Sequence, residues 1–215
     1  MHHWLDERHY HNNNIAFVDD NRSITYRELW SEVINAKNQL LAHQRGRIGL
    51  LLGNSIEWIV VDLACSLANL TLVPLPEFFS NEQLSYIIST ACLDLIITDN
   101  SDRMSDITSN ISQQLSSSLG EIFLLQEKQS AIEQVRKITF TSGSTGEPSG
   151  VCLSQQSLDA VVQSFTHSLS HYVGRHFCLL PLSTLLENVA GIYTSISANA
   201  TVYLTKTISI YNLKP

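Results

Sequence analysis

The stretch Ile138-Thr-Phe-Thr-Ser-Gly-Ser-Thr-Gly-Glu-Pro-Ser-Gly-Val151, ITFTSGSTGEPSGV, sets a cluster of hydroxyls and glycines between two runs of strand character. A plain Gly/Ser turn joining two strands satisfies this composition. A nucleophile elbow is approached as well, since Ser142-Gly-Ser144-Thr-Gly146 nearly fits G-x-S-x-G, with Ser142 where the first glycine belongs. That elbow needs a helix directly after the serine, whereas Glu147-Pro148 and the β-prone Gly150-Val-Cys-Leu follow here. The third reading is an anion cradle. Backbone N–H groups of Gly143 and Gly146, with the hydroxyls of Thr141, Ser142, Ser144 and Thr145, can converge on phosphate oxygens, and glycines let the backbone come close. The stretch is not a Walker A loop, because it contains no G-x-x-x-x-G-K-[ST] and no lysine. From these residues alone, a phosphate loop of unassigned type stands beside a plain turn.

Working outward, Thr25 and Glu28 form a capping box before Leu29, Val33, Ala36 and Leu40 at helical spacing. RIGLLLGNS is a short strand ended by Gly53, and Asn54 with Glu57 reads as the cap of a helix carrying Ile59, Val60, Leu63 and Leu67. TLVPLP is again strand-like. Ser80 with Gln83 is a second capping box, ahead of Leu84, Ile87, Ile88 and Ala91, and DLIIT follows as a strand. This alternation predicts an α/β fold, a mainly parallel sheet with helical crossovers. The serine-rich stretch 100–120 reads as a flexible surface connection with one weak helix turn. EIFLLQ, VRKITFT and GVCLS supply further strands, and Ser154 caps the helix LDAVVQSFTHSLSHYV. FCLLPLS and ATVYLT bracket a helical stretch over 185–196.

The 215 residues suffice for one or two domains with a real core. A net charge of -7 argues against nucleic acid or an anionic membrane as a general partner and favours a small molecule. Cys65, Cys92, Cys152 and Cys178 form no CxxC pair, so they suggest neither a zinc site nor a disulfide framework but thiols in a reducing cytoplasm. The polar start MHHWLDERHYHNNN lacks the apolar core of a signal peptide. Asp62 and Asn69 interrupt the longest apolar run, Trp58 to Pro76, so no transmembrane segment is expected. The expected location is therefore cytoplasmic.

TSGSTGEPSGV closely resembles the phosphate-binding signature Thr-Ser-Gly-Ser-Thr-Gly-x-Pro-Lys-Gly-Val of the adenylate-forming (AMP-binding) superfamily, which includes acyl-CoA synthetases and peptide-synthetase adenylation domains. ITYRELW, GLLLGNSIEW and LVPLPEFFSNEQLSYIISTACLDLIITD are similar to elements that precede the loop in that family. LLPLSTLLENVAGIYTSISANATVYL is similar to a segment that follows it. The resemblance implies the N-terminal domain of the acyl-adenylate-forming synthetase fold over residues 15–215, behind a polar segment 1–14, with the C-terminal domain and its catalytic lysine absent. It implies the joining of a carboxylic acid, a fatty acid in the acyl-CoA synthetase branch, to ATP with Mg²⁺, then transfer to a thiol such as coenzyme A. Thr141, Ser142, Gly143, Ser144, Thr145, Gly146, Ser149 and Gly150 take the polyphosphate positions in this alignment. Ser183, Thr184, Glu187 and Asn188 take the substrate side.

The chain departs from the signature at Ser149, where the family carries a lysine, and at Asn199, where it favours a glycine. With no catalytic residue of its own assigned, the 215-residue chain is expected to be inactive alone, or to need a separate polypeptide supplying the C-terminal part. The alternatives are a noncatalytic nucleotide- or acyl-binding module and an adenylation domain for an amino or aryl acid. Among other candidates, His167 and His171 at i, i+4 lack the glutamate of a metalloprotease helix and read as a solvated face. Phe78-Phe79 reads as core packing, and Asp19-Asp20 as a turn.

Overall fold

A computed structural model describes residues 9, 11–126, 130–141, 148–169 and 174–205. In chain order the elements are β1 (Ile15–Val18), β2 (Ser23–Thr25), α1 (Tyr26–Ala42), β3 (Arg47–Leu51), α2 (Ile56–Leu67), β4 (Thr71–Pro74), α3 (Asn81–Thr90) and β5 (Leu95–Thr98). A 3₁₀ turn, Ser101–Arg103, then leads into α4 (Met104–Ile107), followed by β6 (Ile111–Ser117), β7 (Gly120–Leu125), β8 (Val135–Thr141) and β9 (Ser149–Ser154). The chain continues as α5 (Gln155–Leu169), β10 (Arg175–Phe177), a π-helix (Leu186–Tyr193), α6 (Thr194–Ser197) and β11 (Thr201–Tyr203). It divides into two compact units, one of Met1–Ser31, Gly53–Ile56 and Asp159–Pro215, the other of Glu32–Leu52 and Glu57–Leu158.

The second unit holds a seven-stranded sheet in the order β6-β7-β5-β3-β4-β8-β9. Its centre, β5-β3-β4-β8, is parallel, with Ile48 opposite both Leu72 and Leu95 and Leu72 opposite Lys137. All four residues of β4 and of β5 are buried, as expected of parallel strands covered on both faces. Antiparallel partners close both sides, β7 with β6 beyond β5 and β9 beyond β8. The crossover α3 opens as expected: Ser80 accepts the Gln83 N–H and the Gln83 side chain accepts the Ser80 N–H. It packs Leu84, Ile87 and Ile88 into a core with Leu51, Val73, Ile96, Phe123 and Phe140.

The serine-rich stretch 100–120 carries the helix turn read from its sequence, but residues 111–117 form β6, paired along β7 from Ile111↔Leu125 to Ser117↔Gly120. Its polar residues suit an edge strand with one solvated face, a pattern that composition alone renders as loop.

The first unit holds a four-stranded sheet, β10-β11-β1-β2. β1 runs parallel to β11 with Phe17 opposite Val202, and antiparallel to β2. Between β1 and β2, Asp19 makes the turn read from the sequence, its Oδ1 accepting the N–H groups of Asn21 and Arg22. Its Oδ2 accepts the N–H of Ile56, the first residue of α2. Asn54 therefore does not cap that helix as expected, because its side-chain amide is engaged by backbone groups of Leu180 and Leu182. The Thr25–Glu28 capping box is present, with Glu28 accepting from the Thr25 N–H and Thr25 Oγ1 accepting from the Glu28 N–H. Behind it the buried Tyr26 hydroxyl donates to the Ala200 carbonyl at 2.7 Å, and burial pushes this phenol well above its usual range.

Candidate functional site

The loop that opened the sequence reading is the connection of an antiparallel hairpin. β8 and β9 pair from Val135↔Ser154 to Thr141↔Ser149, so Thr141 and Ser149 face each other across its mouth and both are exposed. Ser142, Gly143, Ser144, Thr145 and Gly146 lie outside the described residues. Gly150 sits opposite Phe140, and a Cβ there would stand 3.0 Å from the Phe140 ring, so the ring would have to give by a few tenths of an ångström. At the far end of β9, Ser154 Oγ accepts the Ser157 N–H and starts α5 as expected.

Side chains alternate along β8. Ile138 and Phe140 enter the core, while Lys137 and Thr139 lie on the opposite face. Lys137 Nζ stands 2.8 Å from Asp62 Oδ1 on α2 and 5.6 Å from the centre of the Trp58 ring. Burial pulls the Lys137 pKa down, and the Asp62 carboxylate opposes that pull. Cys65, one turn beyond Asp62, is pushed up first by burial and then by the neighbouring carboxylate, so this thiol stays protonated. Among the described residues of β8, the Thr139 hydroxyl is buried without a hydrogen-bond partner.

In the first unit, Ser183 and Thr184 end an irregular run between β10 and the π-helix, and Glu187 and Asn188 begin that helix. Ser183, Glu187 and Asn188 are buried. Thr184 folds onto Pro181, whose carbonyl accepts from the Thr184 N–H and hydroxyl, and the Thr184 carbonyl accepts the Asn188 N–H. The structure thus brings these four residues into one bend. Glu187 has both carboxylate oxygens engaged there. Oε1 stands 2.5 Å from His176 Nε2, and Oε2 accepts the Leu180 N–H at 3.0 Å. Burial alone would raise the Glu187 pKa, but the His176 and Leu180 hydrogen bonds outweigh it and hold the carboxyl below its ordinary value. Cys178 beside it is pushed up, first by burial and then by Glu187.

Sequence reasoning passed over His176 and the Lys137–Asp62 pair, and read Asn54 only as a helix cap. Asn54 donates to the Leu180 carbonyl and accepts the Leu182 N–H. The one available signal was a polar residue beside each apolar motif: Lys137 before ITFT, His176 before FCLLPL. Of the histidines it did weigh, His167 lies exposed on α5 and His171 lies outside the described residues. Phe79 is buried as expected, but Phe78 is 64% exposed and meets Phe79 edge-on.

Parallel strands with helical crossovers, flanked by the β8–β9 hairpin whose connection carries the Ser/Gly/Thr sequence, define the class of protein as α/β. The family model for AMP-binding enzymes matches residues 6–212, and the chain belongs to that family. It is 22% identical over 180 residues to human long-chain-fatty-acid–CoA ligase 1, covering 66% of this chain and 26% of the ligase. It is 28% identical over 162 residues to gramicidin S synthase 2 of Brevibacillus brevis, covering 66% of this chain and 3% of that protein. Its fold is that of the N-terminal domain of such enzymes. O-succinylbenzoate coenzyme A synthetase (MenE) from Bacillus subtilis, solved with AMP, superposes with a TM-score of 0.79 at 22% identity, covering 98% of this chain and 57% of that one. The chain therefore spans about a quarter of the human ligase and little more than half of the MenE chain.

Proposed function

We propose that the chain is the N-terminal, polyphosphate-holding part of an ATP-dependent ligase that adenylates a carboxylic acid. The observation that carries this reading is the β8–β9 hairpin, whose Thr141↔Ser149 pair flanks the Ser/Gly/Thr sequence. A carboxylate with a pKa of about 4 is already ionised at neutral pH, so attack on the α-phosphate needs alignment and charge neutralisation, not a general base. Thr141, Ser149 and Gly150 offer hydroxyls and backbone N–H groups at the loop's two ends, a donor set that fits phosphate oxygens. The loop residues 142–146 complete that set in this proposal. Mg²⁺ is commonly bound through substrate phosphates and would neutralise the departing pyrophosphate.

The finer assignment is an acid–thiol ligase, with a fatty acid as acid and coenzyme A as acceptor. It draws support from the likeness to the human long-chain ligase. Ser183, Thr184, Glu187 and Asn188 lie on the acid side in this reading. The likeness to gramicidin S synthase 2 supports an amino-acid substrate as the second reading. A cytoplasmic location belongs to the proposal and rests on cysteines that are free among the described residues, where also no helix is long and apolar enough to cross a membrane. The rest of the enzyme, in the same chain or a separate polypeptide, would supply the catalytic lysine.

Titration of the purified 215-residue chain with a fluorescent ATP analogue and Mg²⁺ tests the reading. Binding is expected, with the Ser149→Lys variant about tenfold tighter, the worth of one charge-assisted contact. No carboxylate-dependent pyrophosphate release is expected from the chain alone. Absence of nucleotide binding in both proteins would leave a noncatalytic role for the fold, and pyrophosphate release by the chain alone would overturn its assigned dependence on further residues.

A further inference from the structure

We infer that His176 and Glu187 are a positioning pair that fixes the backbone of the Leu180–Thr184 segment, an inference that rests on the assignment of that segment to the acid. The segment belongs to no strand or helix, so no ladder satisfies its backbone. Side chains do so instead. The Leu180 N–H donates to Glu187 Oε2 at 3.0 Å, and the Leu180 carbonyl accepts from Asn54 Nδ2 at 2.9 Å and from the Cys178 thiol at 3.4 Å. Two residues on, the Leu182 N–H donates to Asn54 Oδ1 at 2.8 Å.

Asn54 alone would leave the segment a hinge about one amide group. Glu187 supplies the second anchor, and its own direction is set by His176 at 2.5 Å from Oε1. The anchor also lies next to what it holds, because Glu187 follows Thr184 by three residues and sits in the first turn of the π-helix. A π-helix is a rare device, concentrated at functional sites.

Gly191 shows that the surroundings are built around this pair. A Cβ there would stand 2.5 Å from Glu187 Oε1 and 2.7 Å from His176 Nε2, so any other residue would force one or both of these side chains to shift. Gly191→Ala therefore displaces the pair while both partners remain. Alanine is the better helix former, so unfolding is not the default result.

The test measures amide hydrogen exchange at Leu180 and Leu182 in the 215-residue chain, together with calorimetric titration of decanoate in the presence of Mg-ATP. In Glu187→Ala and Gly191→Ala, exchange at Leu180 should be at least about tenfold faster, the factor that one lost hydrogen bond supplies. Decanoate affinity should fall about fivefold or more in the same two variants. Glu187→Gln, whose amide oxygen still accepts the Leu180 N–H, should recover part of both losses. ATP affinity should stay within about twofold throughout, since these residues do not belong to the hairpin. Unchanged exchange in Gly191→Ala overturns the inference, as does faster exchange with unchanged decanoate affinity, which would leave the pair a structural contact only. If the wild-type chain binds neither decanoate nor benzoate, the acid assignment fails, and the exchange data alone decide whether the pair fixes the segment. Should Glu187→Ala not fold, Gly191→Ala and Glu187→Gln still decide.

Discussion

Two charge pairs in this chain join a strand to a helix in different settings. Lys137 on β8 meets Asp62 on α2 at 2.8 Å with side-chain exposures of 3% and 2%. His176 on β10 meets Glu187 on the π-helix at 2.5 Å with exposures of 30% and 7%. The first pair is sealed in the sheet's flank, with an aromatic ring beside the ammonium. The second stands at the edge of an irregular segment and passes its fixation on to a backbone amide. Fully buried charges gain little net stability from pairing, because desolvation cancels most of the attraction, yet removing one partner is costly. The difference teaches that the Lys137 pair is a commitment of the fold, while the His176 pair is an adjustable hold on a segment.

The largest effect is expected at the sealed pair. Asp62→Ala leaves Lys137 buried without its carboxylate and should cost about 3–5 kcal/mol, read as a lower urea midpoint at unchanged slope. Replacing both partners sharpens the point. Asp62→Leu with Lys137→Met should recover most of that loss or exceed wild-type stability, by about 1–4 kcal/mol in known cases of buried pairs. A double variant as unstable as Asp62→Ala would show that the pair's charges are themselves required.

At the second pair, Glu187→Ala should cost about 1–3 kcal/mol, the penalty of leaving the Leu180 N–H without its acceptor. Its pH dependence has a definite sign. The folded Glu187 carboxyl lies below its ordinary value, so its contribution is present at neutral pH and disappears as pH falls through the folded value. The stability gap between wild type and Glu187→Gln should therefore be present at neutral pH and narrow as pH falls below about pH 4. A gap that widens on acidification would contradict the geometry.

How much of this was legible beforehand follows from the range of each interaction. Capping boxes such as Ser80–Gln83 act within one helical turn, so two letters three positions apart suffice to find them. The central strands are short continuous apolar runs, and the hairpin flanks ITFT and GVCL have strand character on either side of a turn. The sheet of the first unit was not legible, because β2 and β10 are three residues each and β1 finds β11 across most of the chain, Phe17 opposite Val202. Asn54 was misread for a related reason. Its position before a helix suggests a cap, but partners more than a hundred residues away, Leu180 and Leu182, claim its amide. Family likeness pointed to the bend at Ser183–Asn188, whereas the identity of its anchor, His176, depends on a strand–helix contact that no local spacing encodes.

The smallest expected effect sharpens the comparison most. His176 is partly exposed, so water screens its interaction with Glu187, and exposed pairs of this kind contribute about 0.2–1 kcal/mol. Glutamine in its place keeps a donor able to reach the carboxylate but cannot carry a positive charge. His176→Gln should therefore cost less than about 1 kcal/mol at low salt. Much of that difference should vanish in molar salt, where the screening length shrinks to about 3 Å. The Asp62→Ala loss should be nearly the same in both conditions, because screening ions do not enter a pair only 2–3% exposed. Paired urea titrations of the two variants at low and high salt make the measurement. If His176→Gln proves as costly and as indifferent to salt as Asp62→Ala, the second pair is as sealed as the first, and its reading as an adjustable hold is wrong.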